Sequence, residues 1–146
     1  MKWTFAAIGV MLVFAMPAQK PARQFLNPDS VPKPTGYTQV VSVRAGRMVF
    51  LSGQGGSING VMPPDFAGQA KNTFENIGRC LAAAGAKYDD IVKINYYVTD
   101  MSHTAELRRI RAGYLNQQNP PASTLVQAGL GQGLLLEVEA IAVLPE

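Results

Sequence analysis

The stretch Leu134-Leu135-Leu136-Glu137-Val138-Glu139-Ala140-Ile141-Ala142-Val143 is an unbroken and almost entirely apolar run near the end of the chain. Such a run predicts a central β-strand that is covered on both faces. Because side chains alternate along a strand, Glu137 and Glu139 would share one face. The other face would carry Leu136, Val138, Ala140 and Ala142. Two carboxylates on a covered face are costly unless they reach solvent, a partner or a cleft, so their face predicts a cleft or a subunit boundary.

The composition fits one globular domain with a packed core. Of the 146 residues, 47% are hydrophobic and only 16% are charged, so enough apolar side chain is present to bury a core. The net charge is +3, and no Lys/Arg cluster occurs beyond Arg108, Arg109 and Arg111. The basic balance is therefore weak evidence for a nucleic-acid partner, and we expect none.

The chain has few residues for disulfide or metal chemistry. Cys80 is the only cysteine and His103 the only histidine, so no intrachain disulfide can form and a structural zinc site lacks ligands. The helical spacing around Cys80 favours a buried, inert thiol. A packed or capping role is favoured over a catalytic one for His103. No metal and no cofactor is predicted.

The first 18 residues are typical of a secretory signal peptide. Lys2 supplies a positive start, Phe5–Ala15 is apolar, and Met16-Pro17-Ala18 ends in a small residue. The apolar run is too short for a comfortable membrane span of about 20 residues. We therefore expect cleavage after Ala18 and export to the periplasm or the medium, with no membrane attachment afterwards, rather than a retained anchor or a buried helix. The predicted organisation is signal peptide 1–18, extended lead-in 19–35 and folded domain 36–146.

The first half of the domain predicts a hairpin followed by a helix. The β-rich segments 38–43 and 48–52 flank Ala45-Gly46-Arg47, which reads as a hairpin turn. Asp65 is a suitable helix N-cap, and Gly85 is placed to end that helix. Its apolar residues recur at helical spacing and comprise Ala70, Phe74, Ile77, Leu81 and Ala84.

The second half predicts two further strands around a second helix, before the last strand. Ile91–Val98 alternates as a strand, Asp100 or Ser102 caps the helix, and 122–128 is again β-rich. The apolar stripe of this helix is Leu107, Ile110 and Tyr114. The order is ββαβαββ, an α+β domain with two helices on one mixed sheet. Amphipathic helices cover only one sheet face, and a small domain usually hides the other against another copy of itself.

A series of short segments then runs in order through roughly residues 36–143. The segments are Gly36-Tyr37, Phe50–Gln54, Asn76-Ile77, Ala84-Gly85, Asp90–Lys93, Tyr97–Asp100, Pro121–Val126 and Glu137–Val143. In content and order they resemble the RidA/YjgF family of reactive-intermediate deaminases. The resemblance implies a chorismate-mutase-like fold and a homotrimer whose sheets form a central barrel. It also implies a small-molecule cleft at each subunit boundary.

The resemblance also implies a chemistry and a set of site residues. Deaminating members hydrolyse enamines and imines released by pyridoxal-phosphate enzymes, without a cofactor of their own. Their catalytic glutamate, which positions or activates water, corresponds to Glu137. Their cleft tyrosine and serine correspond to Tyr37 and Ser52. Gly53 matches a glycine whose backbone faces the ligand, and Thr124 is a further candidate for substrate contact.

One essential residue of the deaminases is replaced. Where they read Pro-Ala-Arg-Ser, this chain reads Pro120-Pro121-Ala122-Ser123, so Ala122 stands at the position of the substrate-binding arginine. Its loss removes a bidentate carboxylate contact, and no adjacent residue in the sequence replaces it. Arg111 could supply a guanidinium from another direction, although a solvated helix face is the favoured interpretation. Activity on 2-aminoacrylate is therefore expected to be poor.

Three functions are compatible with this pattern. The first is an exported hydrolase of a small imine or enamine, with Glu137 as general base. The second is a non-catalytic binder of small metabolites in the same cleft, and the third is a chaperone-like or interaction trimer. A ligand- or water-binding role is favoured for Glu137 over one in which it only lines a wet trimer channel, while a structural role is favoured for Glu139. A nuclease role has little support, because the sequence has neither a basic stripe nor an aromatic platform.

Overall fold

The computed structural model describes residues 22–44, 46–131 and 133–144. The predicted signal peptide, residues 1–18, lies outside the described residues. Within these ranges no helix has both the length and the apolar character that crossing a membrane requires. The elements are β1 Arg23–Leu26, β2 Val40–Val43, β3 Arg47–Gln54, α1 Phe66–Ala83, β4 Ile91–Val98, α2 Thr104–Arg111, β5 Ala122–Gln127 and β6 Leu136–Leu144.

The main sheet has four strands in the order β3-β6-β4-β5. Strand β6 runs antiparallel to both of its neighbours, β3 and β4, while β4 and β5 are parallel. The last strand is therefore an interior strand, as its apolar sequence predicts. Both helices pack on the same face of this mixed sheet, which confirms the predicted α+β architecture.

Alternation along β6 divides it into a core face and an open face, as predicted. The side chains of Leu136, Val138, Ala140 and Ala142 are at most 4% exposed. Opposite them, Glu137, Glu139 and Ile141 are half-buried. The core face packs against α1, α2 and the inward residues of β4, chiefly Phe74, Ile77, Leu81, Ile94, Tyr96, Val98, Leu107 and Ile110. Both helices lie on one side of the sheet, as predicted, so within one chain they leave the face of Glu137 uncovered.

The predicted hairpin between 38–43 and 48–52 is wrong. Strand β2 instead pairs with β1, with Leu26 opposite Val40, in a separate two-stranded sheet. Strand β1 lies in the predicted extended lead-in. The Arg23 guanidinium holds β1 in place by an ion pair with Asp90 at 2.8 Å and by donating to the Val143 carbonyl oxygen.

The partner of β3 is β6, about 90 residues further along the chain, and no local turn signal predicts such a pairing.

Helix boundaries follow the predicted caps. The Asp65 carboxylate accepts a hydrogen bond from the Gly68 N–H at 2.8 Å and begins α1. The helix ends at Gly85, whose φ of +69° favours glycine. Asp100 accepts from the Ser102 N–H at 2.8 Å, which begins a short 3₁₀ turn that leads into α2.

The packed position predicted for His103 is confirmed. Its ring stacks on Phe66, with centroids 4.1 Å apart and planes 2° from parallel. Cys80 is a free, half-buried thiol that packs against the core. It is therefore less buried than its helical spacing predicts.

A buried glutamine, which the sequence does not single out, fixes the start of β6. The Gln69 side-chain amide donates to the carbonyl oxygens of Pro63 at 2.9 Å and Gly133 at 2.8 Å. Its carbonyl oxygen accepts from the Leu135 N–H at 2.8 Å. These bonds connect α1 to the loop before β6 and so set where Glu137 lies.

Candidate functional site

The open face of the main sheet carries a concentrated set of polar side chains. In register, Asn95 of β4 lies opposite Glu139 of β6, and Tyr97 lies opposite Glu137. Beside them is a cavity of about 290 Å³. Its lining consists of Phe50, Leu51, Ser52, Lys93, Asn95, Glu139, Ala140 and Ile141.

A β-bulge places Ser52 and Gly53 at this face. Leu51 pairs with Ala140 and Gln54 pairs with Val138, so two residues of β3 oppose the single residue Glu139. Bulges of this kind redirect side chains and often lie beside functional sites. Ser52 is exposed at the cavity.

The glycine at the bulge allows Glu137 to approach the backbone. A Cβ at Gly53 would lie 1.8 Å from Glu137 Oε1 and 2.7 Å from its carboxyl carbon, so no larger residue fits there without moving Glu137. The structure thus brings together three of the predicted site residues, Ser52, Gly53 and Glu137.

The two glutamates of β6 differ in their hydrogen bonding. Glu139 Oε1 accepts from Asn95 Nδ2 and from the Tyr97 hydroxyl, both at 2.8 Å. The hydrogen bonds of the described residues include none to the Glu137 carboxylate. Glu137 is therefore available to water or a ligand, while Glu139 has the structural partners that the sequence analysis favours.

Hydrogen bonding also sets the charge states of this pair. The bond from Asn95, and then that from Tyr97, lowers the pKa of the Glu139 carboxyl, while the bond to Glu139 raises the pKa of the Tyr97 phenol. Glu139 is therefore an anion and Tyr97 a neutral donor at physiological pH. Because the folded state favours the charged Glu139 carboxylate, these hydrogen bonds stabilise the fold fully when the pH is above the ordinary pKa of a glutamate. The stabilisation is lost as the pH falls through the lowered pKa of Glu139.

Lys93 places an ammonium group beside Ala122. On β4 it is the register partner of Ala122 on β5, the position of the missing arginine. Its Nζ donates to Thr124 Oγ1 at 2.8 Å, and both residues lie on the open face. The residues next to Ala122 in the sequence include no such cation, and the fold brings this one beside it. Only the register between the two parallel strands reveals this neighbour.

Arg111 is buried rather than solvated, so the favoured interpretation of this residue is wrong. It is 9% exposed, and its Nη2 donates to the Gly36 carbonyl oxygen at 2.9 Å. The guanidinium carbon lies 5.2 Å from the centroid of the Tyr96 ring. Burial raises the pKa of the Tyr96 phenol to about 12, although the Arg111 charge opposes the shift. Arg111 does not line the cavity beside Ser52 and instead fixes the segment that carries Tyr37.

Tyr37 lies apart from the other predicted site residues. It lines a second cavity of about 390 Å³ together with polar residues of the N-terminal segment and of the loop before β5. These include Asn27, Asp29, Lys33, Gln117, Gln118 and Asn119. Within one chain, Tyr37 and Ser52 therefore belong to different cavities.

The open-face site suits a small polar molecule. Its cavity offers the Glu139 carboxylate, a hydroxyl, an ammonium group and an amide around a wall that includes Phe50 and Ile141. In the part of the chain that the structure describes, no group of three or more His, Cys, Asp and Glu residues is placed to hold a metal ion.

Comparisons with known proteins agree on one family. Residues 29–144 match the family model described as Endoribonuclease L-PSP. Protein DfrA of Myxococcus xanthus is 32% identical over 126 residues, which cover 84% of this chain and 96% of that protein. The 2-iminobutanoate/2-iminopropanoate deaminase of Mus musculus is 30% identical, over 83% of this chain and 91% of that protein. The crystal structure of E. coli TdcF with bound serine has a TM-score of 0.64 at 31% identity and covers 83% of this chain and 98% of that one.

The contact between Gly53 and Glu137 yields a prediction for stability. We expect Gly53→Ala to lower the free energy of unfolding by about 1 kcal/mol, because the added Cβ forces the flexible end of Glu137 out of its position. In a Glu137→Ala background the same substitution should cost less than about 0.5 kcal/mol, since the clashing atoms are gone. Denaturant unfolding of the four proteins at one fixed concentration measures this coupling. An equal cost of Gly53→Ala in both backgrounds would contradict the contact.

Proposed function

Because the chain belongs to the RidA/YjgF family, the family described as Endoribonuclease L-PSP, we propose that it is an exported homotrimer that binds and hydrolyses a small imine- or enamine-type metabolite. The observation that carries this proposal is the Glu137 carboxylate, which has no hydrogen-bond donor among the described residues and lies against Gly53, beside Ser52. A carboxylate held in this way can position and deprotonate water.

Glu137 has a defined part in the proposed reaction. An enamine first tautomerises to the imine, and water then attacks the imine carbon while Glu137 accepts a proton from that water. Glu137 returns this proton to the carbinolamine nitrogen, and the C–N bond then breaks as the hydroxyl loses its proton, which releases ammonia and leaves a ketone. Water is the only co-reactant, so the proposal requires no cofactor. Ser52, on the bulge beside Gly53, is placed to orient the substrate.

Two relatives support a small ligand of this class. The mouse relative is named a 2-iminobutanoate/2-iminopropanoate deaminase, and the E. coli relative TdcF was solved with bound serine. The iminobutanoate and iminopropanoate of the first name and the serine bound to the second protein are short molecules that carry a nitrogen on the carbon next to a carboxylate. We carry over to this chain the class of ligand and leave the individual compound open.

A homotrimer would complete the cleft. The open face exposes Phe50 at 69%, Met48 at 54% and Val126 at 41%, and a second copy would cover these side chains. Tyr37 and Ser52 lie in different cavities of one chain. In the proposed trimer a neighbouring copy brings its Tyr37 to the cleft that contains Ser52 and Glu137.

A specific observation also favours a second function. With Ala122 in place of an arginine, the bidentate contact to a substrate carboxylate is lost. A lysine such as Lys93 carries a point charge and does not reproduce the geometry of that arginine contact. A cleft of this kind can bind a metabolite without orienting it for attack by water. The alternative is therefore a non-catalytic binder or a chaperone-like trimer, and turnover distinguishes it from the hydrolase.

Export makes a prediction about the mature N-terminus. Lys2 and the Phe5–Ala15 run motivate cleavage after Ala18. Mass spectrometry of the protein from its native host should find an N-terminus near Gln19 in the exported fraction. Recovery of a chain that still begins with Met1 from the soluble cytosolic fraction would refute export.

Ala122 makes a prediction about catalysis. We expect the unmodified protein to hydrolyse 2-aminoacrylate-type imines poorly and Ala122→Arg to raise the rate. A bidentate arginine–carboxylate contact in a partly desolvated cleft contributes about 2–5 kcal/mol, which corresponds to roughly thirtyfold to several-thousandfold if it persists in the transition state. A coupled assay of ketoacid release measures kcat/KM.

The matched control combines Ala122→Arg with Glu137→Ala. This double variant should lose the gain, because water then lacks its base. If Ala122→Arg keeps its assembly and shows no gain, the cleft is not an imine hydrolase site, which favours the binder. Efficient hydrolysis by the unmodified protein would contradict the importance assigned to Ala122.

A further inference from the structure

We propose that Arg111 is a positioning residue of the cleft, and that its buried guanidinium holds the Gly36–Thr38 segment where Tyr37 can reach a ligand. The inference rests on the proposed function, in which Tyr37 is a cleft residue. It deepens that function, because it names the group that orients this tyrosine. Arg111 does not line the open-face cavity, so it acts on the cleft only through Tyr37.

Arg111, at the end of α2, is a buried cation without a carboxylate partner. The residue is 9% exposed, and the ion pairs among the described residues involve other cations, namely Arg23, Arg79, His103 and Arg109. A buried charge of this kind adds little to stability, because its loss of hydration offsets much of what its contacts contribute. The stability of the core therefore does not explain why an arginine lies here.

The two contacts of Arg111 suit a guanidinium and join the core to the N-terminal segment. Its Nη2 donates to the Gly36 carbonyl oxygen at 2.9 Å, and its guanidinium carbon lies 5.2 Å from the centroid of the Tyr96 ring. A planar guanidinium can stack on a ring while it donates hydrogen bonds from its edge, and an ammonium group cannot do both. Because Tyr96 is buried in β4, it gives the guanidinium a fixed support.

The backbone at Gly36 depends on this contact. Its φ of +71° favours glycine, and a Cβ at this position would lie 2.9 Å from Arg111 Nη2. Position 36 therefore has two separate reasons to be glycine, and one of them is the guanidinium. The next residue is Tyr37, so the direction in which Tyr37 leaves the backbone is set at this bend.

Thr38 anchors the other side of Tyr37. Thr38 is 2% exposed, and its hydroxyl donates to the Pro120 carbonyl oxygen at 2.6 Å. Its N–H donates to the Pro121 carbonyl oxygen at 3.3 Å. The residues on both sides of Tyr37 are therefore anchored, one to α2 and the other to the loop before β5.

The test follows Tyr37 directly, by fluorine NMR of protein labelled with 3-fluorotyrosine. The chain contains five tyrosines, and the substitution of each by phenylalanine assigns its resonance. In Arg111→Met the Tyr37 resonance should move toward its position in the urea-unfolded protein, because the anchor of Gly36 is gone. The resonances of Tyr88 and Tyr97 should stay in place, since neither residue contacts Arg111 by a hydrogen bond.

Gly36→Ala tests the same contact from the other side, because the added Cβ would displace the guanidinium. It should move the Tyr37 resonance in the same direction. Arg109→Met is the matched control, since Arg109 lies on the same helix with its side chain 72% exposed, and it should leave the Tyr37 resonance in place. The proposal is overturned if this resonance does not move in Arg111→Met. It is also overturned if the Tyr88 and Tyr97 resonances move as well, which would show a general loosening of the fold.

The effect on the cleft is measured as imine hydrolysis by the Ala122→Arg protein. Adding Arg111→Met should raise KM roughly three- to tenfold, as expected when a hydrogen bond to the ligand is no longer aligned, and should leave kcat unchanged. In a Tyr37→Ala background the same change should raise KM no further, because the residue that Arg111 positions is absent. An equal further rise would mean that Arg111 acts by another route and would overturn the proposal.

These outcomes separate the inference from the proposed function. A displaced Tyr37 resonance in Arg111→Met, in a protein that hydrolyses no imine, supports the role of Arg111 and refutes the hydrolase. Imine hydrolysis whose KM is the same with and without Arg111→Met refutes the inference and leaves the hydrolase standing.

Discussion

The structure depends on one constraint in β6: an interior strand has to bury one row of side chains completely while the opposite row carries two carboxylates. The buried row packs against both helices, and its members are almost inaccessible to water. Glu137 and Glu139 on the other row cannot enter such a core without a large desolvation cost. Both helices therefore lie on one side of the sheet, and the other side carries the polar groups.

The two carboxylates are accommodated on the open face in different ways. Glu139 is satisfied by Asn95 and Tyr97 of the neighbouring strand. Glu137 instead fits over Gly53, where a bulge in β3 brings the backbone close. Glu139 is therefore held by hydrogen bonds, while the Glu137 carboxylate has no hydrogen-bond donor among the described residues.

Much of this arrangement follows from local sequence. The alternation of β6, the cap at Asp65 and the glycine at position 85 that follows α1 are short-range patterns that the structure confirms. Asp100 caps the 3₁₀ turn before α2, while the residue at the N-cap of α2 itself is His103. Ser52, Gly53 and Glu137 came from the resemblance to a family, and the fold places them together. Strand alternation and helix ends are predictable because a few neighbouring residues determine them.

What could not be predicted depends on contacts between distant segments. The partner of β2 is β1 and not β3, Lys93 lies beside Ala122 only because of strand register, and Arg111 is buried by a segment 75 residues earlier. The role of Gln69 could not be predicted either, since two of its three hydrogen bonds join α1 to the loop before β6, more than 60 residues later in the chain. Each of these contacts requires the folded topology, which hydrophobic periodicity and turn signals do not contain.

The central claim is that the open face of the sheet is covered by identical copies, which complete a cleft around Glu137. Sedimentation equilibrium of the purified protein at micromolar concentration tests this most directly. The account predicts a single species with three times the mass of one chain, because Phe50, Met48 and Val126 form an exposed apolar surface that neighbouring copies would cover. A monomeric mass at that concentration would contradict it.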